Sequence, residues 1–341
     1  MTRAPDLGAI LEQHQLVCVL GPGGVGKTTL AASLALLSSQ ERRTLVVTID
    51  PAKRLASALS LELGHEVSRV RKDLDAVMVD TKHALDDLLR RYAPSPDSLD
   101  EIFRSPFYQQ LSSALVGSEE FAAMGLLHEY ATTDEYDLIV VDTPPSRHAL
   151  DFLTVNERLI KVFTSGLTQL VFKPGRLFSV AGGRMAGVLA RWTSREYLAT
   201  VSDFMLQFED LFLDMEERVR HMDALLRDPQ RTSLGIVAVP EPGTVREALS
   251  LAQGVRELGL EIDVAFANRV YPPLASGTSS DERAPLLEHY RQLAAMHRQG
   301  IEALANELGP PVIIPALPHV TGLAGLEQIV PALARSGAIA Y

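Results

Sequence analysis

The stretch Gly21–Thr29 gathers four glycines, one lysine and two threonines, the residues of this chain best suited to hold and activate an anion. The run Gly21-Pro22-Gly23-Gly24-Val25-Gly26-Lys27-Thr28 fits the pattern G-x-x-x-x-G-K-[ST]. It follows an apolar run, Leu16–Leu20, that reads as a strand, and precedes an Ala- and Leu-rich stretch, Thr28–Leu37, that reads as a helix. Such a loop turns successive backbone N–H groups toward one anion, and the helix start adds its positive end. On this reading Gly21, Gly23, Gly24, Val25, Gly26, Lys27, Thr28 and Thr29 bind ATP. Lys27 neutralises the β and γ phosphates as a catalytic group, and the Thr28 hydroxyl holds Mg²⁺. A glycine-rich turn matching by accident is the alternative, and the strand–loop–helix context argues against it.

Two carboxylates end other apolar runs. Leu138-Ile139-Val140-Val141-Asp142 places Asp142 where a loop-bound nucleotide needs an acid to reach Mg²⁺ through water. Thr143-Pro144-Pro145 then stiffens the exit. Asp50 follows the run Thr44–Ile49 and precedes Pro51. A carboxylate there can orient or deprotonate an attacking water, or can cap a helix that has proline in its first turn. The local residues leave both readings open.

The elements that must position these groups are also readable. Short runs rich in Val and Ile recur at Leu16–Leu20, Thr44–Ile49, Ala76–Val79, Leu138–Val141, Leu234–Val239, Ile262–Ala267 and Val312–Ile314, with helical stretches between them. Strands apolar on both faces predict an α/β fold, a doubly wound, mostly parallel sheet covered on both sides. Two stretches break the rhythm, at about 82–130 and 146–228. They predict a helical subdomain inserted into one ATPase domain spanning 1–341. Within the second, Val201, Phe204, Met205, Phe208, Phe212 and Met215 fall on one apolar stripe of an amphipathic helix. Tyr271–Arg283, rich in Pro, Ser and Gly, reads as a loop.

Composition narrows the function classes. A net charge of -11 argues against a general nucleic-acid binder. The single cysteine, Cys18, excludes an internal disulfide and a CxxC zinc clasp, and reads as a small core residue. No secretory leader and no spanning helix are expected, so the predicted location is cytoplasmic, with peripheral membrane contact as an extension.

Taken together, Gly21–Thr29, Asp50–Leu55 and Asp142–Leu150 resemble the ArsA-type ATPases. That family includes the arsenite-pump ATPase and the guided-entry ATPase that delivers tail-anchored membrane proteins, within the wider group of ParA, MinD and the nitrogenase iron protein. The matches are GGVGKTT at Gly23–Thr29, DPA at Asp50–Ala52, and Asp142-Thr143-Pro144-Pro145-Ser146-Arg147-His148-Ala149-Leu150, similar to the family's DTAPTGHTL. Glu241, followed by Glu247-Ala248, is similar to the family's PE…EA segment. The resemblance implies that Asp50 orients the catalytic water and that Asn268 contacts adenine. It places a second adenine-side loop at Pro315–Pro318, with Pro315 and Leu317 as contacts. It further implies a dimeric nucleotide switch, as a homodimer or paired with a paralogue.

The chain departs from the family in instructive places. The second lysine of the family's loop, which reaches across the dimer, is replaced by Pro22, and Lys53, Arg54 and Arg147 are candidates to substitute for its charge. The zinc-binding CxxC and the arsenite-sensing cysteines are absent, so no zinc is expected and arsenite efflux is disfavoured. The residues Phe163–Trp192 mix apolar, small and basic types, which suits either a helical core or a groove for a hydrophobic client or membrane partner. A ParA/MinD-like positioning ATPase without a groove is the competing reading. The short tail Pro331–Tyr341, with Arg335 as its only basic residue, disfavours the membrane-helix form of it.

Overall fold

In the computed structural model the described residues are 5–49, 54–64, 66–79, 119–164, 209–272, 284–318 and 322–335. They form eight strands: β1 (Leu16–Leu20), β2 (Thr44–Thr48), β3 (Ser68–Arg71), β4 (Leu74–Met78), β5 (Leu138–Asp142), β6 (Thr232–Ala238), β7 (Val264–Val270) and β8 (Val312–Pro315). The described helices are α1 (Leu7–Gln13), α2 (Lys27–Ser38), α3 (Arg54–Leu59), α4 (Glu119–Ala131) and α5 (Ser146–Thr164), then α6 (Glu209–Arg227), α7 (Pro242–Glu257), α8 (Ala284–Leu308), α9 (Gly322–Glu327) and α10 (Val330–Ala334).

The sheet runs in the order β3-β4-β2-β5-β1-β6-β7-β8. All neighbours are parallel except β3 and β4. Each of the seven apolar runs read from the sequence lies in or overlaps one of these strands, and the α/β, mostly parallel fold is the one expected. β1, β2, β5 and β6 are buried along their whole length, which is why they carry continuous apolar runs and no alternation. β3 is the strand the sequence hid. Its residues Ser68-Arg69-Val70-Arg71 hold one aliphatic side chain, and none of them is fully buried.

Alternate residues sort the core into two layers. Val17, Val19, Val46, Leu138, Val140, Val237 and Phe266 join a cluster with Leu30, Leu34, Leu7, Leu55, Leu326 and Leu333, so this face carries α1, α2, α3, α9 and α10. The opposite face packs α7 on β6 and α8 on β7. Burying one Val or Leu in such a layer stabilises the fold by roughly 1.5–3 kcal/mol relative to exposing it. Helix α2 lies between the sheet and outer helices and is buried nearly all round, from Leu30 to Leu36. That explains its Ala- and Leu-rich sequence without a polar stripe. Of its two buried serines, Ser33 donates to the Thr29 carbonyl at 2.8 Å and Ser38 accepts the Thr44 hydroxyl at 3.1 Å.

The chain divides into two compact units. The first comprises Met1–Val79, Glu129–Leu153 and Leu225–Tyr341 and contains the sheet. The second comprises Asp80–His128 and Thr154–Ala224. Its described part is helical, with Ala122, Met124, Leu127, Val155, Leu159, Met215, Val219 and Met222 buried. The rest of the insertions, including the stripe from Val201 to Phe208 and the mixed segment Leu167–Trp192, lies outside the described residues.

Candidate functional site

The order of the sheet decides what meets at its carboxyl end. β1 stands between β5 and β6, and the parallel register sets Val19 beside Asp142 and Leu20 beside Ile236. The loop after β1 therefore rises from the middle of the sheet, with the ends of β5, β6 and β7 around it. Open α/β sheets bind ligands at this kind of carboxyl-end crevice.

The glycines of the loop divide into two kinds. Gly21 (φ 154°) would place a Cβ 2.4 Å from the Val237 carbonyl oxygen. Gly26 (φ 96°) would place one 2.5 Å from Asn268 Nδ2. Neither position has room for a side chain, so the loop is pressed onto β6 and β7 there. Gly23 and Gly24 instead are exposed, and an added Cβ would meet nothing within 4 Å. Lys27 begins α2, is 8% exposed, and folds back so that its Nζ donates to the carbonyls of Gly21 at 3.0 Å and Pro22 at 2.9 Å. The cation thus spans the mouth of the loop. Thr28 and Thr29, both half-buried, occupy the first turn of α2.

Asp142 closes β5 and is 1% exposed. Thr48, its neighbour across the β2–β5 pairing, donates its hydroxyl to Asp142 Oδ2 at 2.9 Å. Thr143 donates to the Val19 carbonyl at 2.8 Å, tying the exit of β5 to the strand that leads into the loop. The Thr28 hydroxyl and a buried carboxylate are the oxygen donors that a hard divalent ion takes, so the residues present fit Mg²⁺. Ile49 donates its N–H to the Asp142 carbonyl at 3.1 Å. Asp50, the next residue, lies outside the described residues, as do Pro51, Ala52 and Lys53. Arg54 is exposed at the start of α3.

Asn268 sits near the end of β7, 7% exposed. Its Nδ2 donates to the Val25 carbonyl at 2.8 Å, and its Oδ1 accepts the Arg269 N–H at 2.9 Å. An amide keeps a second hydrogen and a second lone pair, so each end retains capacity for a further partner. Pro315 ends β8 and Leu317 follows it, both half-buried, and the Ala316 N–H between them donates to the Val270 carbonyl at 2.9 Å. The structure therefore gathers the loop, Asp142, Asn268 and the Pro315–Leu317 segment at one end of one sheet. Cys18 lies inside β1, fully buried, and burial pushes its thiol up to about 12.

The sequence model of the anion-transporting ATPases matches residues 14–333. The chain belongs to that family. As a member of that family it is an ATP-hydrolysing enzyme, and the resemblance to ArsA-type ATPases read from its three segments is borne out. The relatives include the ATPase GET3 of Malassezia globosa, 25% identical over 281 residues, covering 80% of this chain and 78% of the relative. The ATPase asna-1 of Caenorhabditis elegans is 28% identical over 293 residues, 80% of each chain. The ATPase ARSA2 of Chlamydomonas reinhardtii is 28% identical over 297 residues, 84% of this chain and 77% of the relative.

In this member of the anion-transporting ATPases, further residues surround the loop, and apart from Glu241 the sequence did not single them out for the site. Thr48 carried no signal beyond ending an apolar run. A cavity of about 330 Å³ is lined by Gly23, Gly24 and Val25 together with Glu241, Thr244, Arg269, Tyr271 and His297, among others. Arg269 was legible only as the neighbour of Asn268, and His297 only as one polar residue within the long helix α8. The His297 ring is 1% exposed, and its Nδ1 accepts the Tyr271 N–H at 3.1 Å. Desolvation lowers its pKa, with Glu241 opposing. Among the described residues no helix is long and apolar enough to cross a membrane, and no group of three or more His, Cys, Asp or Glu stands together as a metal cage.

Proposed function

We propose that Gly21–Thr29 holds the triphosphate of ATP, with the loop's N–H groups and Lys27 on the phosphates and with Thr28 and Asp142 holding Mg²⁺. The observation that carries this reading is the juxtaposition of Asp142, braced by Thr48, with the strand that feeds a glycine loop spanned by Lys27. Bound Mg²⁺ supplies charge neutralisation at the β and γ oxygens. Lys27 leaves the Gly21 and Pro22 carbonyls for the phosphates, exchanging two neutral acceptors for an anion that binds the ammonium more strongly. Asp50, which follows Ile49 in the sequence, orients the attacking water. Asn268 contacts the adenine edge, with Pro315 and Leu317 beside it.

The working form is a dimer, of two copies or with a paralogue, in which ATP and its hydrolysis switch the assembly between two states. The cargo is a hydrophobic membrane-protein segment or a membrane partner, handled by the helical subdomain at about 82–130 and 146–228, in the cytoplasm. What supports this is the family membership together with relatives named ATPase GET3 and asna-1. The test has two arms. Lys27→Ala is expected to abolish binding of a fluorescent ATP analogue, and retention of full affinity would refute the nucleotide assignment. Asp50→Asn, incubated with ATP and cross-linked from Phe172 or Met185, is expected to trap an apolar peptide. Failure to trap one in any nucleotide state would refute the cargo assignment while leaving the first intact.

A further inference from the structure

Lys27 is the one basic residue of the loop Gly21–Thr29, and Pro22 brings neither a charge nor an N–H. Gly23 and Gly24 line the cavity whose wall includes Arg269, Tyr271, His297, Thr244 and Glu241. Two features of that wall are unusual. The first is Arg269 itself, which is exposed and holds φ at 56°, a left-handed conformation costly for a side chain with a Cβ. The register of β7 against β8 shifts between Ala267 and Val270, so a bulge at this point re-aims the side chain. The strained backbone is held by the Asn268 Oδ1 accepting the Arg269 N–H, while the same Asn268 grips the loop at the Val25 carbonyl. One side chain therefore links the position of Arg269 to the position of the loop.

The second feature is the buried donor at His297. Its Nδ1 accepts the Tyr271 N–H, so in the neutral ring Nε2 carries the hydrogen. That Nε2 is buried and has no hydrogen-bond partner among the described residues. A buried donor without an acceptor is costly to keep, and His297 is among the residues that line the cavity together with Arg269. Among the described residues Glu241 is the one carboxylate in the wall. A guanidinium and an imidazole N–H are donors of the kind that recognise an oxyanion.

We infer that this cavity is an oxyanion site, and that Arg269 there supplies to the nucleotide's phosphate oxygens the positive charge that the loop lacks at Pro22. The inference rests on the assignment of ATP to the loop. The phosphate has two possible sources, the nucleotide of the same chain or that of a second copy facing it. His297 positions the anion from the buried side, and Asn268 couples Arg269 to the occupancy of the loop.

The test is turnover and nucleotide affinity of Arg269→Gln and Arg269→Lys in the full chain. Arg269→Gln is expected to lose about 10-fold or more in kcat. Arg269→Lys is expected to recover part of that loss, because it restores charge without the planar fork. Turnover of Arg269→Gln within about twofold of the parent, or Arg269→Lys no better than Arg269→Gln, overturns the proposal. Loss of ADP binding in Lys27→Ala reports separately on the loop, so failure of the two assignments is distinguishable. Mixing Arg269→Gln with Lys27→Ala locates the phosphate. Recovered activity in the mixture assigns it to a second copy, and no recovery assigns it to the same chain. In the second feature's own test, His297→Phe fills the same space without a donor and is expected to raise KM for ATP with the fold retained by circular dichroism. An unchanged KM removes His297 from the site.

Discussion

Gly26→Ala puts a methyl carbon where Asn268 already stands, 2.5 Å from Nδ2, at a residue whose φ is 96°. Two costs follow, and they separate. The left-handed backbone costs an alanine roughly 1–2 kcal/mol wherever it occurs. The collision drives Asn268 Nδ2 away from the Val25 carbonyl, now bonded at 2.8 Å. Leaving such buried partners unmet costs about 1–3 kcal/mol. Together the substitution is expected to destabilise the first unit by about 2–5 kcal/mol. In an Asn268→Ala background the collision has no target, so about 1–2 kcal/mol remains. A double-mutant cycle on urea unfolding, followed by the affinity for ATP in each variant, reads the difference. The expected coupling is about 1–3 kcal/mol, far outside the additivity of distant sites. If Gly26→Ala costs the same in both backgrounds to within about 0.5 kcal/mol, the loop is not pressed onto Asn268, and the account of Gly26 is wrong.

Other expectations follow from the same geometry. Asp142→Asn keeps an acceptor for Thr48 but loses the charge beside the loop, so ATP turnover is expected to fall about 10–100-fold while the thermal midpoint changes little; a steady-state assay across Mg²⁺ concentrations checks it. His128 is depressed to about 4 by desolvation, with Arg218 and His221 lowering it further and Asp214 opposing. Its folded value lies below the unfolded one near 6.5, so folding disfavours the charged ring. Stability of the second unit is therefore expected to be flat above about pH 6.5 and to decline as pH falls toward 4, by on the order of 2 kcal/mol, with His128→Leu removing the slope. Cys18, fully buried with its thiol pushed up to about 12, is expected to resist alkylation at pH 8 until the sheet opens, and rapid labelling in native buffer would contradict its place in β1.

Much of the sheet was legible because burial on both faces leaves a simple trace. Leu16–Leu20, Thr44–Ile49 and Leu138–Val141 are apolar at every or nearly every position, and each became a strand flanked by strands on both sides. β3 was not legible, since an edge strand needs no core face and Arg69 and Arg71 conceal it. The loop was legible because its glycines answer to backbone collisions, at Val237 and Asn268, that no other residue type tolerates. Thr48 and His297 were not, because each matters only through a neighbour about a hundred or some tens of residues away in the chain, Asp142 at 94 and Tyr271 at 26. Short-range spacing contains no trace of such a pair.

The two margins of the sheet have a consequence for how copies of this chain can associate. β3 is four residues long, antiparallel, and studded with arginines, of which Arg69 pairs with Asp75 and Arg71 with Glu327. β8 is also four residues long and ends at Pro315, which has no N–H to offer. Short, charged or proline-ended margins are poor templates for another strand. Growth of a continuous intermolecular sheet is thereby discouraged at both ends, even at the high local concentrations met during synthesis. Among the described residues, the surfaces left for association are the loops at the carboxyl ends of the strands and the helical faces. A contact at the loop end would be made of the same residues that meet the nucleotide, so assembly there would answer to the state of the phosphate.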